Sequence, residues 1–315
     1  MLVVITILLV MMGVTVAVFN VSLEGERVRS GASQIQSYLA GARDRAAFAG
    51  RPCGVRFLLD DSNPLDKTLV RSMLYIQVPD DWQQGSFIVK NFPGDPSSSK
   101  LVEELVNGES TTDWKDVDLL LNTVQFRKPR IMIQGHWYTV IDKGFEPNQP
   151  HLTQFLMIRP RFRGSVGTRV EDGDYRLRLQ PAIMPGQEPV LLPTGVVIDL
   201  DQCRRRHTSA EAETLPQSWY PNGIGNYLPA LDILFSPNGT VIGPETSKGI
   251  IHLLVNDITD ATSNLFPVDL QNKSDKRVVT LFTRTGYVTT SEIVHSSEYP
   301  TVLNLFQFAE RGETE

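Results

Sequence analysis

Cysteine is scarce in this sequence. Cys53 and Cys203 are the two in 315 residues, too few for a disulfide framework, and no Cys-x-x-Cys pair or Cys/His cluster offers the spacing of a structural zinc site. Whether the two pair, or each is a buried core thiol, stays open at this stage. Basic residues are not in excess either. Thirty Lys and Arg stand against 36 Asp and Glu, a formal charge of −6. Phosphate binding needs clustered positive surface, so no nucleic-acid partner is expected. The run Arg204-Arg205-Arg206 is too short to reverse that balance and reads as a solvated loop.

Catalytic signatures are missing as well. His136, His151, His207, His252 and His295 are scattered, without the H-E-x-x-H spacing that sets two ligands on one helix face. No P-loop, G-x-G-x-x-G or G-x-S-x-G occurs. No catalytic, cofactor-binding or metal-ligating residue is assigned, no cofactor is expected, and the chain is not read as an enzyme. Glu171, Asp172 and Asp174 surround Gly173 with oxygens of the kind Ca²⁺ uses, but without EF-hand spacing; lying between strand-like runs, they read as a hairpin tip. Asp60-Asp61 reads as a loop. Trp82, Trp114, Trp137, Trp219 and Tyr220 leave two readings, core packing or a recognition surface.

What the sequence does have is one long apolar run. Residues 2–19 are apolar except for Thr6, Gly13 and Thr15, and no Lys or Arg occurs before Arg27. Eighteen such residues meet the lower end of what crosses a ~30 Å hydrocarbon layer as a helix. A signal peptide would carry a basic segment, a shorter apolar core and a small-residue cleavage site, so a membrane anchor is the better reading. With no flanking positive charge, the positive-inside rule is silent on orientation.

No proline interrupts the chain before Pro52, and Val28, Ile35, Leu39, Ala42, Ala46 and Ala49 recur at helical spacing, the mark of one buried stripe. Gly50 and Pro52 supply the stop. These signals predict one helix from about residue 2 to about 49, roughly 70 Å long at 1.5 Å per residue, its first half suited to lipid and its second to a protein surface. Gly13, Gly25, Gly31 and Gly41 each cost about 1 kcal/mol there and mark bends or close contacts.

After residue 53, strand-like runs dominate. Tyr175, Leu177 and Leu179 alternate with Arg176, Arg178 and Gln180, predicting an antiparallel sheet with one wet face. Asp172-Gly173 and Asn238-Gly239 suit tight turns, and Gly144 and Gly286 are further turn candidates. The run at 101–108 reads as a short helix ending at Gly108. The segments at 93–100 and 204–223 read as loops.

The first apolar run, followed by the helix pattern, resembles the type IV pilin-like superfamily. There a basic leader ending in glycine is cleaved and the mature chain opens Phe-Thr-Leu-x-Glu before a run like "MLVVITILLVMM". Met1 falls just after the position of that glutamate, so the resemblance implies a start internal to the gene or a trimmed chain, the leader, its glycine and the glutamate not being part of this sequence. Three stretches narrow the resemblance to the GspH/FimT-type minor pseudopilins of type II secretion and type IV pilus systems. They are the Ala-Arg-x-x-Ala segment in "SQIQSYLAGARDRAAFAGRPCGVRF", the Leu-Pro-x-Gly strand start in "LLPTGVVIDL", and "LDILFSPNGTVIG" with "RVVTLFTRTGYVTT", which carry Phe-Ser-Pro-x-Gly and a glycine before the last strand. Together they cover about a third of the chain.

The resemblance implies an α+β fold: a long N-terminal helix over residues 1–50, membrane-spanning at 2–19, packed on an antiparallel β domain over 51–310. That family's globular domain is about half this size, so residues from about 80 to 190 are expected to be a β-rich insertion, and 311–315 a disordered tail. It also implies a filament subunit in the bacterial inner membrane, single-pass, with the β domain on the periplasmic side. The implied partners are other pseudopilins through the N-terminal helix, the membrane, secreted cargo, and a prepilin peptidase that acts on the leader, with N-methylation of the new end. The alternative from another class is a single-pass anchored binding module that does not polymerise.

Overall fold

A computed structural model describes residues 2–59, 69–92, 94–107, 109–112, 114, 129–145, 154–179, 181–200, 203–208, 211–214, 230–243, 249–259, 276–293, 306 and 309; side chains are described from Gly25 onward, excepting 204–208, 211–214 and 230. One helix, α1 (Leu2–Ala49), leads into β1 (Cys53–Leu59) and β2 (Leu69–Gln77). Nine strands follow: β3 (Phe87–Asn91), β4 (Ser99–Glu103), β5 (Leu105–Val106), β6 (Glu109–Ser110), β7 (Arg130–Ile133), β8 (His136–Phe145), β9 (Gln154–Arg159), β10 (Arg169–Val170) and β11 (Tyr175–Arg178). The chain continues through β12 (Ala182–Ile183), β13 (Val190–Leu191), β14 (Val196–Asp199), β15 (Arg204–Thr208), β16 (Glu211–Thr214), β17 (Ala230–Phe235), β18 (Val241–Ile242), β19 (Ile250–Asp257), β20 (Arg277–Phe282) and β21 (Tyr287–Glu292). Two compact units result: Met1–Ile76 with Ile183–Glu315, and Gln77–Ala182.

The first unit carries a mainly antiparallel sheet ordered β16-β15-β19-β14-β2-β1-β17-β18, with β13 added to β2, and β20 joining β19 to β21. β1 and β17 are neighbours although more than 170 residues separate them, Cys53 lying opposite Phe235 and Arg56 opposite Asp232. The runs Val196, Val197 and Ile198 in β14 and residues 251–256 in β19 are buried on both faces, as expected of a sheet covered on both sides.

The second unit is a seven-stranded antiparallel sheet ordered β10-β3-β4-β9-β8-β7-β11, with a β5-β6 hairpin beside it. One face closes over Phe87, Trp114, Tyr138 and Tyr175. Phe87 meets the Tyr175 ring edge-on at 4.9 Å between centroids, and burial pushes the Tyr175 phenol above its ordinary value while its hydroxyl donates to the Gln84 carbonyl. The Glu103 carboxylate is buried and satisfied, accepting from the Gln154 amide and the Ser110 and Thr112 hydroxyls. Along β11, Tyr175 and Leu177 are buried while Arg176 and Arg178 are exposed.

Several expectations are corrected. The α+β class, with a long helix, membrane-spanning in its first half, packed on an antiparallel β domain, is not what the structure shows. Among the residues whose side chains are described, the helix covers 25–49, no helix is long and apolar enough to cross a membrane, and the described chain is mostly β. The physical reason is that residues 25–49 carry Glu26, Arg27, Arg29, Arg43, Asp44 and Arg45 outside one apolar stripe, a pattern that suits a sheet surface and not lipid.

Residues 101–106 form strands rather than a helix, because β4 is paired on both sides, Leu101 opposite Val89 and Leu156. Such short apolar spacing fits either state, and pairing decides it. The 204–223 loop contains the β15-β16 hairpin, paired to β19. Gly144 lies within β8, where a Cβ would come 2.6 Å from the Phe155 ring; close approach, not a turn, calls for glycine there. Residues 171–174 do form a turn, with Gly173 at φ +86°, but it joins β10 and β11, which pair with β3 and β7 and not with each other. Asp60-Asp61, Gly108 and the 311–315 tail lie outside the described residues.

Candidate functional site

The best-formed contact in the first unit is the seat of the helix on the sheet. Val28, Ala32, Ile35, Leu39, Ala42 and Ala46 are buried, one stripe at helical spacing, and each large member contributes roughly 1.5–3 kcal/mol by leaving water. Ala49 of the expected stripe is exposed, because the helix ends at Gly50, which has φ +63°. Gly31 lets the helix approach closely: a Cβ there would lie 2.7 Å from Val196. Polar residues flanking the stripe tie the helix to strand backbone. Gln36 Nε2 donates to the Val288 carbonyl at 3.0 Å, and Gln34 Nε2 to the Leu191 carbonyl at 3.2 Å.

Near its C-terminal end, the helix holds two turns. Arg43 Nη1 reaches the Gly286 carbonyl at 3.4 Å. Its methylenes lie 3.6 Å from where a Cβ on Gly239 would stand, and a Cβ on Gly286 would meet the Gly239 carbonyl oxygen at 2.0 Å. The β17-β18 turn and the β20-β21 turn therefore touch, and Arg43 covers both. One helical turn away, Tyr38 and Tyr75 stack at 3.9 Å with 8° between planes, and the Arg45 guanidinium lies 3.9 Å from the Tyr75 ring centre. Burial raises both phenols above their ordinary value, Arg45 opposing it. Gly41 leaves room for the Tyr75 hydroxyl, which a Cβ would meet at 2.6 Å. The opposite face of the helix, with Ser30, Ser33, Ser37, Asp44 and Phe48, is exposed, Phe48 to 97%.

No protein-family model matches the chain, and neither a curated protein nor a solved structure matches it.

The residues weighed for chemistry do not converge. His136 is exposed at the start of β8, whereas His252 is buried in β19, its Nδ1 2.9 Å from the Thr280 hydroxyl and its ring stacked on Phe306. His207 and Arg204-Arg205-Arg206 lie on β15; His151, His295, Trp219 and Tyr220 lie outside the described residues. Among the described residues no group of His, Cys, Asp or Glu is arranged to hold a metal ion. Cys53 and Cys203 are both buried and not joined in a disulfide. The Cys203 thiol donates to the Asp199 carbonyl at 3.1 Å, and burial pushes the Cys53 thiol up, so neither has the character of a reactive thiolate. Trp114 is core, and Trp82 bridges Leu177 by backbone hydrogen bonds.

Sequence reasoning missed Asp95, placed in a plain loop. Its carboxylate accepts from the Ser97 and Ser98 hydroxyls, the Ser97 amide and Arg159 Nη2. The signal was Asp followed two and three residues later by Ser, an Asx-type turn. These donors, the Ser97 hydroxyl first, hold the carboxyl well below the usual carboxylate range. A lowered folded-state pKa contributes stability above the unfolded value of about 3.9 and loses it as pH falls further, through the folded value. The difference in urea midpoint between the native chain and Asp95→Asn is therefore expected to be present at neutral pH and to shrink on acidification below about pH 4. A difference constant over that range would show that the cluster does not bind the ionised form preferentially.

Proposed function

We propose that the chain is a structural subunit of the GspH/FimT minor pseudopilin type, working in a type II secretion or type IV pilus-like filament. In this reading the chain is anchored in the bacterial inner membrane, the β-rich part lies on the periplasmic side and meets secreted cargo, and neighbouring subunits dock on the N-terminal helix. The observation that carries the reading is the Arg43 contact. Two of the stretches that bear the resemblance, Ala42-Arg43-x-x-Ala46 and the closing strands with Gly239 and Gly286, lie about two hundred residues apart in sequence and meet at one point. The exposed helix face adds support: Ser30, Ser33 and Ser37 are small enough to let a second helix approach closely, and Phe48 stands out from it.

Cysteine cross-linking tests this. Ser37→Cys puts a thiol on the exposed face, while Cys53 and Cys203 are buried and do not compete. In cells making the whole gene product and its neighbouring subunits, oxidation of the membrane fraction is expected to link two helix-bearing subunits. A chain that fractionates with membranes but stays uncross-linked fits the non-polymerising anchored module instead. A chain found wholly in the soluble fraction removes the anchor as well.

A further inference from the structure

The second unit has an open sheet face whose charge pattern is unlike that of the chain as a whole. Strand alternation puts Lys90, Lys100, Arg130, Arg159, Arg169, Arg176 and Arg178 on the side opposite the buried core, and Asp142, beyond the β8 bulge, is the one acidic strand residue there. Two like-charged pairs stand directly opposite each other across strands: Arg130 with Arg178, and Lys90 with Lys100. Such pairs destabilise a sheet unless something offsets them. Rim carboxylates answer part of the charge, through Arg178 with Asp81, Arg159 with Asp95, and Arg169 with Glu104 and Glu171. Among the described residues no carboxylate pairs with Arg130, Arg176 or Lys90, and all three are exposed.

Aromatic rings hold three of the face's cations, Arg130, Arg178 and Lys100, in place. The Arg130 and Arg178 guanidinium groups lie 5.3 and 4.9 Å from the Trp137 ring centre, and the Lys100 ammonium 3.9 Å from that of Phe155. The surface thus presents oriented cations, with its rings already occupied. Base stacking requires an open ring face, whereas a carboxylate requires a guanidinium fork. Arg178, Arg130, Thr139 and Arg159 form one row across β11, β7, β8 and β9. That row is roughly 14 Å long at 4.8 Å per strand, and alternate side chains of an extended peptide lie roughly 7 Å apart, so two or three carboxylates fit along it.

We infer that this face binds an extended acidic segment of a partner protein. The inference stands independently of the filament reading. The test is fluorescence anisotropy of a labelled decaglutamate peptide with the full-length protein at low ionic strength. Binding is expected, and Arg130→Gln with Arg176→Gln should weaken it about tenfold or more, since each lost charged hydrogen bond is worth roughly that factor. Arg27→Gln with Arg29→Gln, an equal charge change on the helix, should leave it unchanged. Lys90→Gln, on a different strand pair, gives an independent reading should the double variant fold poorly, and is expected to weaken binding several-fold. Absence of peptide binding, equal loss in the helix control, or tighter binding of a charge-matched oligothymidylate than of decaglutamate would each overturn the assignment.

Discussion

Asp232→Ala should destabilise the first unit by about 3–5 kcal/mol, the cost of removing one member of a buried ion pair. Arg56 on β1 and Asp232 on β17 face each other across the strand pair, and both are almost fully buried. Nε and Nη2 of Arg56 donate to the two carboxylate oxygens at 2.7 Å each, a planar bidentate fork. Burial alone would lower the pKa of Arg56; the hydrogen bond and charge of Asp232 outweigh it and raise it instead. A guanidinium is in any case protonated throughout the ordinary pH range, so removing Asp232 takes this carboxylate from a buried cation, and the strand pair must open to water or rearrange. Urea midpoints measure the loss. Replacing both partners, Arg56→Met with Asp232→Leu, should recover most of it, since a buried ion pair and well-packed apolar residues of similar size are often near equal. A loss under about 1 kcal/mol in the single variant would place the pair in the class of solvent-screened ion pairs.

The second large effect is expected at Gly286. Gly286 and Gly50 share a φ of +63°, so alanine meets the same left-handed penalty at both, about 1–2 kcal/mol. Nothing lies within 4 Å of a Cβ on Gly50, whereas one on Gly286 would sit 2.0 Å from the Gly239 carbonyl oxygen and 3.1 Å from Arg43. The first of these neighbours is backbone and cannot rotate away. Gly286→Ala should therefore cost roughly 1–3 kcal/mol more than Gly50→Ala, in the range of overpacking, and the two thermal midpoints should separate accordingly. Equal losses would mean that the two turns do not touch in solution, and the Arg43 junction would fall with them. If the junction also positions the helix for docking, Gly286→Ala should reduce the Ser37→Cys cross-link in step with its loss of stability.

Local rules made part of this protein legible. The stripe from Val28 to Ala46, the helix stop at Gly50, the turn at Asn238-Gly239, the turn glycine at 286 and the alternation along β11 all follow from periodicity or backbone sterics acting within a few residues. The same rules misread the run at 101–106, Gly144 and the hairpin after residue 203. In each case the deciding contact comes from a distant strand: Leu156 opposite Leu101, the Phe155 ring over Gly144, Ile251 opposite Arg205.

Apolar length alone suggests a membrane-spanning helix packed on a β domain. Apolar length counts side chains and is silent about what they touch; what residues 25–49 touch, the strand backbone and the Tyr75 ring, is set by tertiary packing. Net charge is likewise silent about position. A total of −6 does not say where the charges lie; alternation on paired strands sends most strand cations of the second unit to one face.

By itself, then, the sequence determined the features that act over one turn of chain: where the helix buries its stripe and ends, which residues turn, and which strands have one wet side. Only the tertiary structure decided that Arg56 meets Asp232, that two turn glycines meet under Arg43, and that cations from different strands line up in one row. Strand pairing across tens to hundreds of residues depends on register, and shifting register by one residue would turn each of these side chains to the other face.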